Sequence, residues 1–305
     1  MADPKISVIM SVYNGEAHLG AAIQSILEQT CGDFEFIIVD DGSTDRSPEI
    51  CTSFTDERIK RVDNRCNLGL ALSLNAGLAL ARGKLIARQD ADDVSHQERL
   101  RLQFECFDTD RTGRLAFVGC RCDLIDEAGR CFGDFSPPPN EEALFHKMRK
   151  RYVPLAHGSV MFDRAIVAGL GGYDERYVYA QDFDLWNRLI AGGYGFAAVP
   201  KTLYQLRRAP ESGGSKAYFQ SKYAELSLRQ GKESDELSFA RIGAEIETRR
   251  GDMETPKALY WIKLGYRALR DGRIGLAITY WANAVQESNL GQDVRFSWRS
   301  LTGRP

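Results

Sequence analysis

Residues 84–93 read Lys84-Leu85-Ile86-Ala87-Arg88-Gln89-Asp90-Ala91-Asp92-Asp93, an apolar run that ends in an acidic cluster. The run predicts a buried strand. Carboxylates this close repel one another, and clustering them does little for stability. A hard divalent cation resolves the repulsion, because Mg²⁺ and Mn²⁺ prefer oxygen ligands and keep positions open for substrate phosphates. The ordinary alternative is a solvated acidic turn before a helix, capped by Asp93 or Ser95.

The elements around this cluster are legible from periodicity. Residues 6–12 form a short apolar run that ends in Tyr13-Asn14-Gly15, a strand and a turn. Leu19, Ile23, Ile26 and Leu27 recur at helical spacing. Residues 34–39 are a second β-rich run, closed by Asp40-Asp41-Gly42-Ser43-Thr44-Asp45, where Ser43 or Thr44 can cap a helix through Phe54. Residues 59–62 are a third strand, Leu70, Leu74, Leu78 and Ala81 share a helix face, and residues 85–87 are a fourth strand. Alternation of this kind predicts a parallel sheet with helices on both faces. Ligands of such sheets sit beyond the carboxyl ends of the strands, where Asn14, Asp40, Asp41 and residues 90–93 would converge. Neither Gly-x-Gly-x-x-Gly nor a P-loop is present.

Beyond residue 115 the pattern changes. Residues 117–125 and 131–135 flank Asp126-Glu127-Ala128-Gly129-Arg130 as a hairpin. Residues 141–151 predict a helix, 160–162 a strand, 169–172 a turn, and 182–191 an amphipathic helix that Asp182 can cap. Residues 196–199 and 203–206 read as short edge strands, and 211–214 as a linker. Residues 216–290 are mostly helical. Within them Trp261, Leu264, Gly265, Ala268, Gly272, Ala277, Trp281 and Ala284 recur as in one tetratricopeptide repeat. Several repeats are normally needed for stability, so the pair is expected to pack on its neighbours.

Composition narrows the class. The chain has 305 residues, 43% hydrophobic and 27% charged, which suits a globular protein of roughly two domains. The net charge of −2 argues against bulk nucleic-acid binding. Residues 1–214 carry 25 Lys+Arg against 31 Asp+Glu, and residues 215–305 carry 15 against 11. The basic excess includes a stripe of Lys263, Arg267 and Arg270, which points either to peripheral contact with anionic lipid or a phosphorylated acceptor, or to a solvated helix face. Seven cysteines lie without Cys-x-x-Cys or zinc spacing, as in a reduced cytoplasmic protein. No signal peptide and no run of about 18 apolar residues is visible.

In order, Ser11-Val12-Tyr13-Asn14, Val39-Asp40-Asp41-Gly42-Ser43-Thr44-Asp45, Asn67-Leu68-Gly69 with Asn75-Ala76-Gly77, Ala87-Arg88-Gln89-Asp90-Ala91-Asp92-Asp93, Gly171-Gly172-Tyr173-Asp174-Glu175 and Gln181-Asp182-Phe183-Asp184-Leu185-Trp186 resemble the family 2 glycosyltransferases, the inverting group with the GT-A fold. The resemblance covers about residues 5–210. It implies an α/β fold, a mostly parallel GT-A sheet flanked by helices, over a catalytic domain of residues 1–214, with a helical region over 215–305. It also implies a nucleotide-sugar donor. Val12, Tyr13 and Asn14 close the strand where the donor base packs. Asp41 matches the acid that contacts the uracil or ribose, and Asp40 either shares that role or serves the loop. Arg65 stands where a basic donor contact is often found. In Asp90-Ala91-Asp92 the first acid lies near the ribose and Asp92 matches the ligand of Mn²⁺ or Mg²⁺. Asp182 matches the general base, preceded by Gln181 where many relatives carry Glu.

Two further positions follow from the same resemblance. Arg207 and Arg208 stand where relatives often have histidine. Arginine cannot ligate a metal but pairs bidentately with phosphate, which makes them candidate clamps on the donor diphosphate, with residues 211–214 as a closing loop. His157 is the better histidine candidate, near the sugar or acceptor or as a structural histidine, and Gly172 belongs to the segment that would shape the sugar pocket. The implied activity is metal-dependent inverting transfer of a hexosyl or N-acetylhexosaminyl group from a UDP-sugar to a glycan or lipid-linked acceptor, as in bacterial surface polysaccharide synthesis. A nucleotidyltransferase would need a Gly-rich loop that residues 11–15 lack. A non-catalytic donor-binding scaffold acting through its helical tail is the other alternative.

Overall fold

The computed structural model describes residues 3–208, 215–229, 236–248 and 257–287. Strands β1 (Ile6–Val12), β2 (Phe34–Asp40), β3 (Ile59–Asp63) and β4 (Leu85–Asp90) alternate with helices α1 (Leu19–Leu27), α2 (Ser47–Ser53) and α3 (Leu70–Leu80). β1 pairs in parallel with β2 and β4, and β2 with β3. Both faces of these strands are covered, which is why β1 and β2 read as nearly continuous apolar runs. Alternate side chains serve opposite cores. Ile9, Ile37 and Ile86 join Leu74 on one face, while Val8, Met10, Phe36 and Ile38 join Leu19, Ile23 and Ile26 on the other. α3 crosses β1 closely at Gly77, where an added Cβ would lie 2.6 Å from Ile9 Cγ2. Its buried face is Ala71, Ser73, Leu74 and Gly77, so Leu70 turns outward, contrary to the expected face.

The rest of the body comprises β5 (Val94–Ser95), α4 (Arg99–Thr109), β6 (Leu115–Ile125), β7 (Cys131–Phe135), α5 (Glu141–Arg149), a 3₁₀ turn (His157–Ser159), β8 (Met161–Asp163), α6 (Arg164–Gly169), α7 (Gln181–Ala191) and β9 (Gly195–Arg207). The strand order is β3-β2-β1-β4-β8-β6-β9-β5, with β7 on β6. Beyond β4 the sheet is mixed, since β8 is antiparallel to both β4 and β6 while β9 is parallel to β6. The two expected edge strands are one 13-residue strand. Its register shifts between the Cys120–Val199 and Arg121–Thr202 pairs, so Pro200 falls in a bulge where no ladder donor is required. Cys120 and Cys122 face the core together and Arg121 faces out.

Four helices follow: α8 (Ser215–Leu228), α9 (Glu236–Thr248), α10 (Lys257–Arg270) and α11 (Ile274–Glu287). They bury their apolar faces against the body. Tyr223 and Ala224 of α8 belong to the core that contains Trp186 and Phe183 of α7, and Phe239, Ile242 and Ile246 of α9 pack on its margin. Asn187 and Asp184 of α7 bond Ser227 of α8. Leu264, Ala268, Ala277 and Tyr280 of the last pair close over Leu124 and Phe132 of the β6–β7 hairpin. The small residues work as anticipated: an added Cβ at Gly265 would lie 2.2 Å from Trp281 Nε1. Arg267 leaves the expected basic stripe, turning to donate to the Asp134 carbonyl at 2.9 Å, while Lys263 and Arg270 remain exposed. No helix among the described residues is long and apolar enough to cross a membrane.

Candidate active site

The carboxyl ends of β1, β2 and β4 open on one crevice. Tyr13 stands half-exposed at its lip. Asn14 adopts a left-handed conformation (φ 52°) and exchanges bonds with the next loop, its amide N–H donating to Ser43 Oγ and its Oδ1 accepting from Thr44 N. Ser43 and Thr44 are therefore committed to Asn14 and do not cap α2, whose Ser47 N–H is met by Asp45 instead. Asp41 is buried and accepts from Asn64 Nδ2, Leu68 N and Gly69 N at 2.8–2.9 Å. Bonds to a charged acceptor are worth roughly 1.5–3 kcal/mol each, so Asp41 anchors residues 64–69 along this wall. Asp40 Oδ1 accepts from Ser43 N at 2.8 Å, and its buried Oδ2 meets no protein donor. Gly42 (φ 72°) is required where its backbone meets Cys66, 2.5 Å from an added Cβ.

The acidic turn after β4 rests on two arginines that are fully buried. Arg88 donates from Nη1 to the Ile9 and Gln89 carbonyls and from Nη2 to Asp90 Oδ1 at 2.6 Å. Arg99 donates from Nη1 to the Arg88 and Gly158 carbonyls. Gln89 ties the turn itself, its amide donating to the Asp90 and Asp93 carbonyls. Asp93 is buried, not a helix cap, and its Oδ1 accepts from Arg207 N. Burial, with Asp92 and Asp90 adding like charge, holds its carboxyl well above the usual range. Ser95 likewise caps nothing and donates to Gln89 Oε1. Asp92 faces outward.

The third wall comes from the second half of the chain. Gly158 lies against β4 so tightly that an added Cβ would sit 2.7 Å from Asp90 Oδ2 and 2.0 Å from the Tyr204 hydroxyl. His157 Nε2 lies 2.8 Å from the Tyr173 hydroxyl and 3.4 Å from Arg88 Nε. Burial, reinforced by the Arg88 charge, pulls the imidazole down to about 3, so it is neutral. Because Arg88 Nε–H can only donate, Nε2 is the acceptor and the ring proton sits on Nδ1. Asn75 pins the backbone of Tyr173 on both sides, accepting from its N–H and donating to its carbonyl. Asp182 lies in the first turn of α7, which starts after Ala180 in a left-handed conformation, so Asp182 is inside the helix and not at its cap. Its Oδ1 accepts from Phe183 N. The helix N-terminus favours the anion, but burial outweighs it and, with the Asp90 charge nearby, raises the carboxyl to about 6.

Asp90, His157, Tyr173 and Asp182 thus share one electrostatic environment around Arg88, and Ala91 and Asp92 adjoin it. Gln181 is buried beside Asp182. Gly172 (φ 72°) is packed against Asn75 on the wall of a neighbouring cavity of ≈ 400 Å³ lined also by Asp174 and Arg188. Arg65 is exposed on the loop after β3, apart from this cluster. Arg207 directs Nε to the Asp92 carbonyl and Nη1 to those of Asp126 and Glu127, so these donors hold backbone instead of facing a diphosphate. Arg208 is exposed at the end of β9, and the expected closing loop at 211–214 lies outside the described residues. Arg88, Gln89 and Tyr173 stood inside the quoted motifs but were given no role of their own, and Arg99 and Tyr204 were given no role; an arginine inside an otherwise apolar strand was a further signal.

The donors on offer are hard carboxylate oxygens, the type Mg²⁺ and Mn²⁺ select. One oxygen of Asp90 is taken by Arg88 and Asp93 is turned inward, which leaves Asp92 as the outward carboxylate. Among the described residues no three carboxylate, imidazole or thiolate groups are arranged to hold a metal ion by themselves. A site with so few protein ligands fits a cation that retains water and substrate oxygens.

Comparison with known proteins bears on the family and the fold. The profile described as "Glycosyl transferase family 2" matches residues 7–169. An uncharacterised glycosyltransferase of Methanocaldococcus jannaschii is 36% identical over 214 residues, 68% of this chain and 72% of that one. The Escherichia coli UDP-Glc:alpha-D-GlcNAc-diphosphoundecaprenol beta-1,3-glucosyltransferase WfgD is 28% identical over 186 residues, 61% of this chain and 70% of that one. Among solved structures, S. aureus TarS 1–349 in complex with UDP aligns with TM-score 0.57 at 16% identity, over 98% of this chain and 92% of that one. The mannosyltransferase PcManGT of Pyrobaculum calidifontis, in complex with GDP-Man and Mn²⁺, aligns with TM-score 0.55 at 18% identity, over 99% and 81%.

Proposed function

The chain belongs to glycosyl transferase family 2 and has the GT-A fold, and from that premise we propose that it is an inverting, metal-dependent transferase. It moves a hexosyl or N-acetylhexosaminyl group from a UDP-sugar to a glycan or lipid-linked acceptor in polysaccharide synthesis. The observation that carries this reading is Asp182, a carboxyl raised to about 6 at the mouth of α7, across the crevice from the acidic turn. A base poised near neutrality both exists as the anion and accepts a proton readily.

In the proposed step the acceptor hydroxyl attacks the anomeric carbon from the face opposite the leaving group. A C–O bond forms to the acceptor as the C–O bond to the diphosphate breaks. The hydroxyl proton passes to Asp182, and the bonding electrons leave with the nucleoside diphosphate. Tyr13 and the loop anchored by Asp41 form the base end of the crevice, and Asp90, fixed by Arg88, the ribose end. Asp92 would hold Mn²⁺ or Mg²⁺, which when bound offsets charge on the diphosphate. His157 is neutral and serves to orient the Tyr173 hydroxyl. The relative WfgD, by its name, uses UDP-Glc and a diphosphoundecaprenol-linked acceptor, and a structural neighbour binds UDP, which supports the choice of donor and acceptor class.

Calorimetric titration of UDP with Mn²⁺, with Mg²⁺ and with EDTA tests the donor site. Metal-dependent binding that disappears in Asp92→Ala is expected. No UDP binding under any condition would overturn the UDP assignment, with GDP and dTDP next in line. Asp182→Asn should bind UDP as wild type does and turn over at least about a thousandfold more slowly.

A further inference from the structure

The last helix pair is connected to the acidic turn by an unbroken chain of hydrogen bonds. Tyr280 of α11 donates its hydroxyl to Asp126 Oδ2 at 3.0 Å. Asp126, 0% exposed, is the first residue of the β6–β7 turn. Its Oδ2 also accepts from Arg130 Nε at 2.8 Å, and its Oδ1 accepts from Ala128 N and Arg130 N, so this one carboxylate shapes the whole turn. The carbonyls that the turn presents, Asp126 O and Glu127 O, receive Arg207 Nη1 at 2.6 and 3.0 Å. The same guanidinium donates from Nε to the Asp92 carbonyl at 2.8 Å, and the Arg207 amide donates to Asp93 Oδ1 at 2.6 Å. Every link is charged at one end or made to backbone; Asp126 is fully buried, and Tyr280 belongs to the apolar cluster of Phe132, Leu264 and Ala277. The ring of Tyr280 is itself packed, edge-on to Phe132 and stacked on Trp261.

We propose that α10–α11 is part of the catalytic unit: Tyr280, through Asp126, and Arg207 are positioning residues that set the conformation of the acidic turn holding Asp92. A buried carboxylate with four donors has one arrangement of low energy. Removing the Tyr280 hydroxyl releases one donor, the β6–β7 turn relaxes, and Arg207 loses the alignment that lets it span two loops. The consequence for nucleotide binding rests on the donor-site reading above; the conformational coupling does not.

The test compares wild type with Tyr280→Phe, which keeps the ring, with Arg207→Lys, which keeps charge but not the planar fork, and with Arg270→Ala, an exposed change on α10. Amide exchange of residues 91–94, followed by mass spectrometry without nucleotide or metal, is expected to accelerate in Tyr280→Phe and Arg207→Lys and to stay at wild type in Arg270→Ala. UDP titration with Mn²⁺ is expected to weaken roughly threefold to tenfold in the first two variants, with the KM for donor rising more than kcat falls. Lower thermal stability in Tyr280→Phe with unchanged exchange at 91–94 and unchanged UDP affinity would overturn the proposal, leaving the hydroxyl a purely structural group. If wild type binds no UDP, the exchange arm still decides the coupling while the donor assignment fails.

Discussion

At the residue scale the site is a problem of charge placement. Three carboxylates close the strand β4, and two buried guanidiniums behind them, Arg88 and Arg99, keep the turn from flying apart before any cation arrives. Asp182 faces this cluster, and its carboxyl sits near 6 because burial and the Asp90 charge outweigh the helix N-terminus. Activity should therefore fall as pH drops through about 6, by about tenfold per unit in kcat/KM, as the base takes up its proton. A profile flat from pH 5 to 8 would remove Asp182 from that role. The same shift has a stability consequence. An unfolded Asp titrates near 3.9, so the folded chain holds this proton more tightly between about 4 and 6, and that contribution is lost as pH rises through 6. Asp182→Asn should then raise the melting temperature above pH 6 and leave it unchanged below about pH 4. Gly158→Ala tests packing at the same place: its Cβ would displace Tyr204 or Asp90, so thermal stability and nucleotide binding should fall together.

Elements bring these residues together, and one buried carboxylate at the far end of the sheet shows how. Glu35 of β2 accepts from Ser7 Oγ on β1, Lys60 Nζ on β3 and both Nε and the backbone N–H of Arg82 before β4. These bonds overcome burial and bring its pKa to about 2. A depressed carboxylate stabilises above its unfolded pKa and loses that contribution as pH falls through the folded value. Glu35→Gln is therefore expected to cost about 2 kcal/mol at pH 7, discounted because Lys60 is half-exposed, with the difference shrinking as pH falls from about 4.5 toward 2. Urea melts of both proteins across that range measure it; a pH-independent difference would mean that Glu35 acts by packing alone.

For the molecule as a whole, the helical region shares cores with the catalytic body instead of having its own. Calorimetry of the full chain should show one transition, since α8 packs with α7 and α10–α11 with β6–β7. A chain ending at residue 208 should bind an apolar dye and melt lower, having exposed the surfaces under Tyr223 and Tyr280; two well-separated transitions would contradict this. Much of this architecture was legible beforehand. Apolar runs with Gly and Asp punctuation located β1 through β4 and their helices, because a strand buried on both faces and an amphipathic helix leave periods that no other element shares. The order of acidic motifs disclosed the family and which loops stand at the carboxyl ends of the strands. What the chain could not disclose one residue at a time was partnership. Asp93 as a buried group, Arg207 as a backbone clamp, and 196–199 with 203–206 as one bulged strand all depend on contacts between segments far apart in sequence, where hydrophobic period carries no information, and Asp182 moved inside α7 because Ala180 takes a left-handed conformation. Residue type announced which groups could do chemistry; only the packing of distant segments decided which of them open on the crevice and which are spent holding backbone.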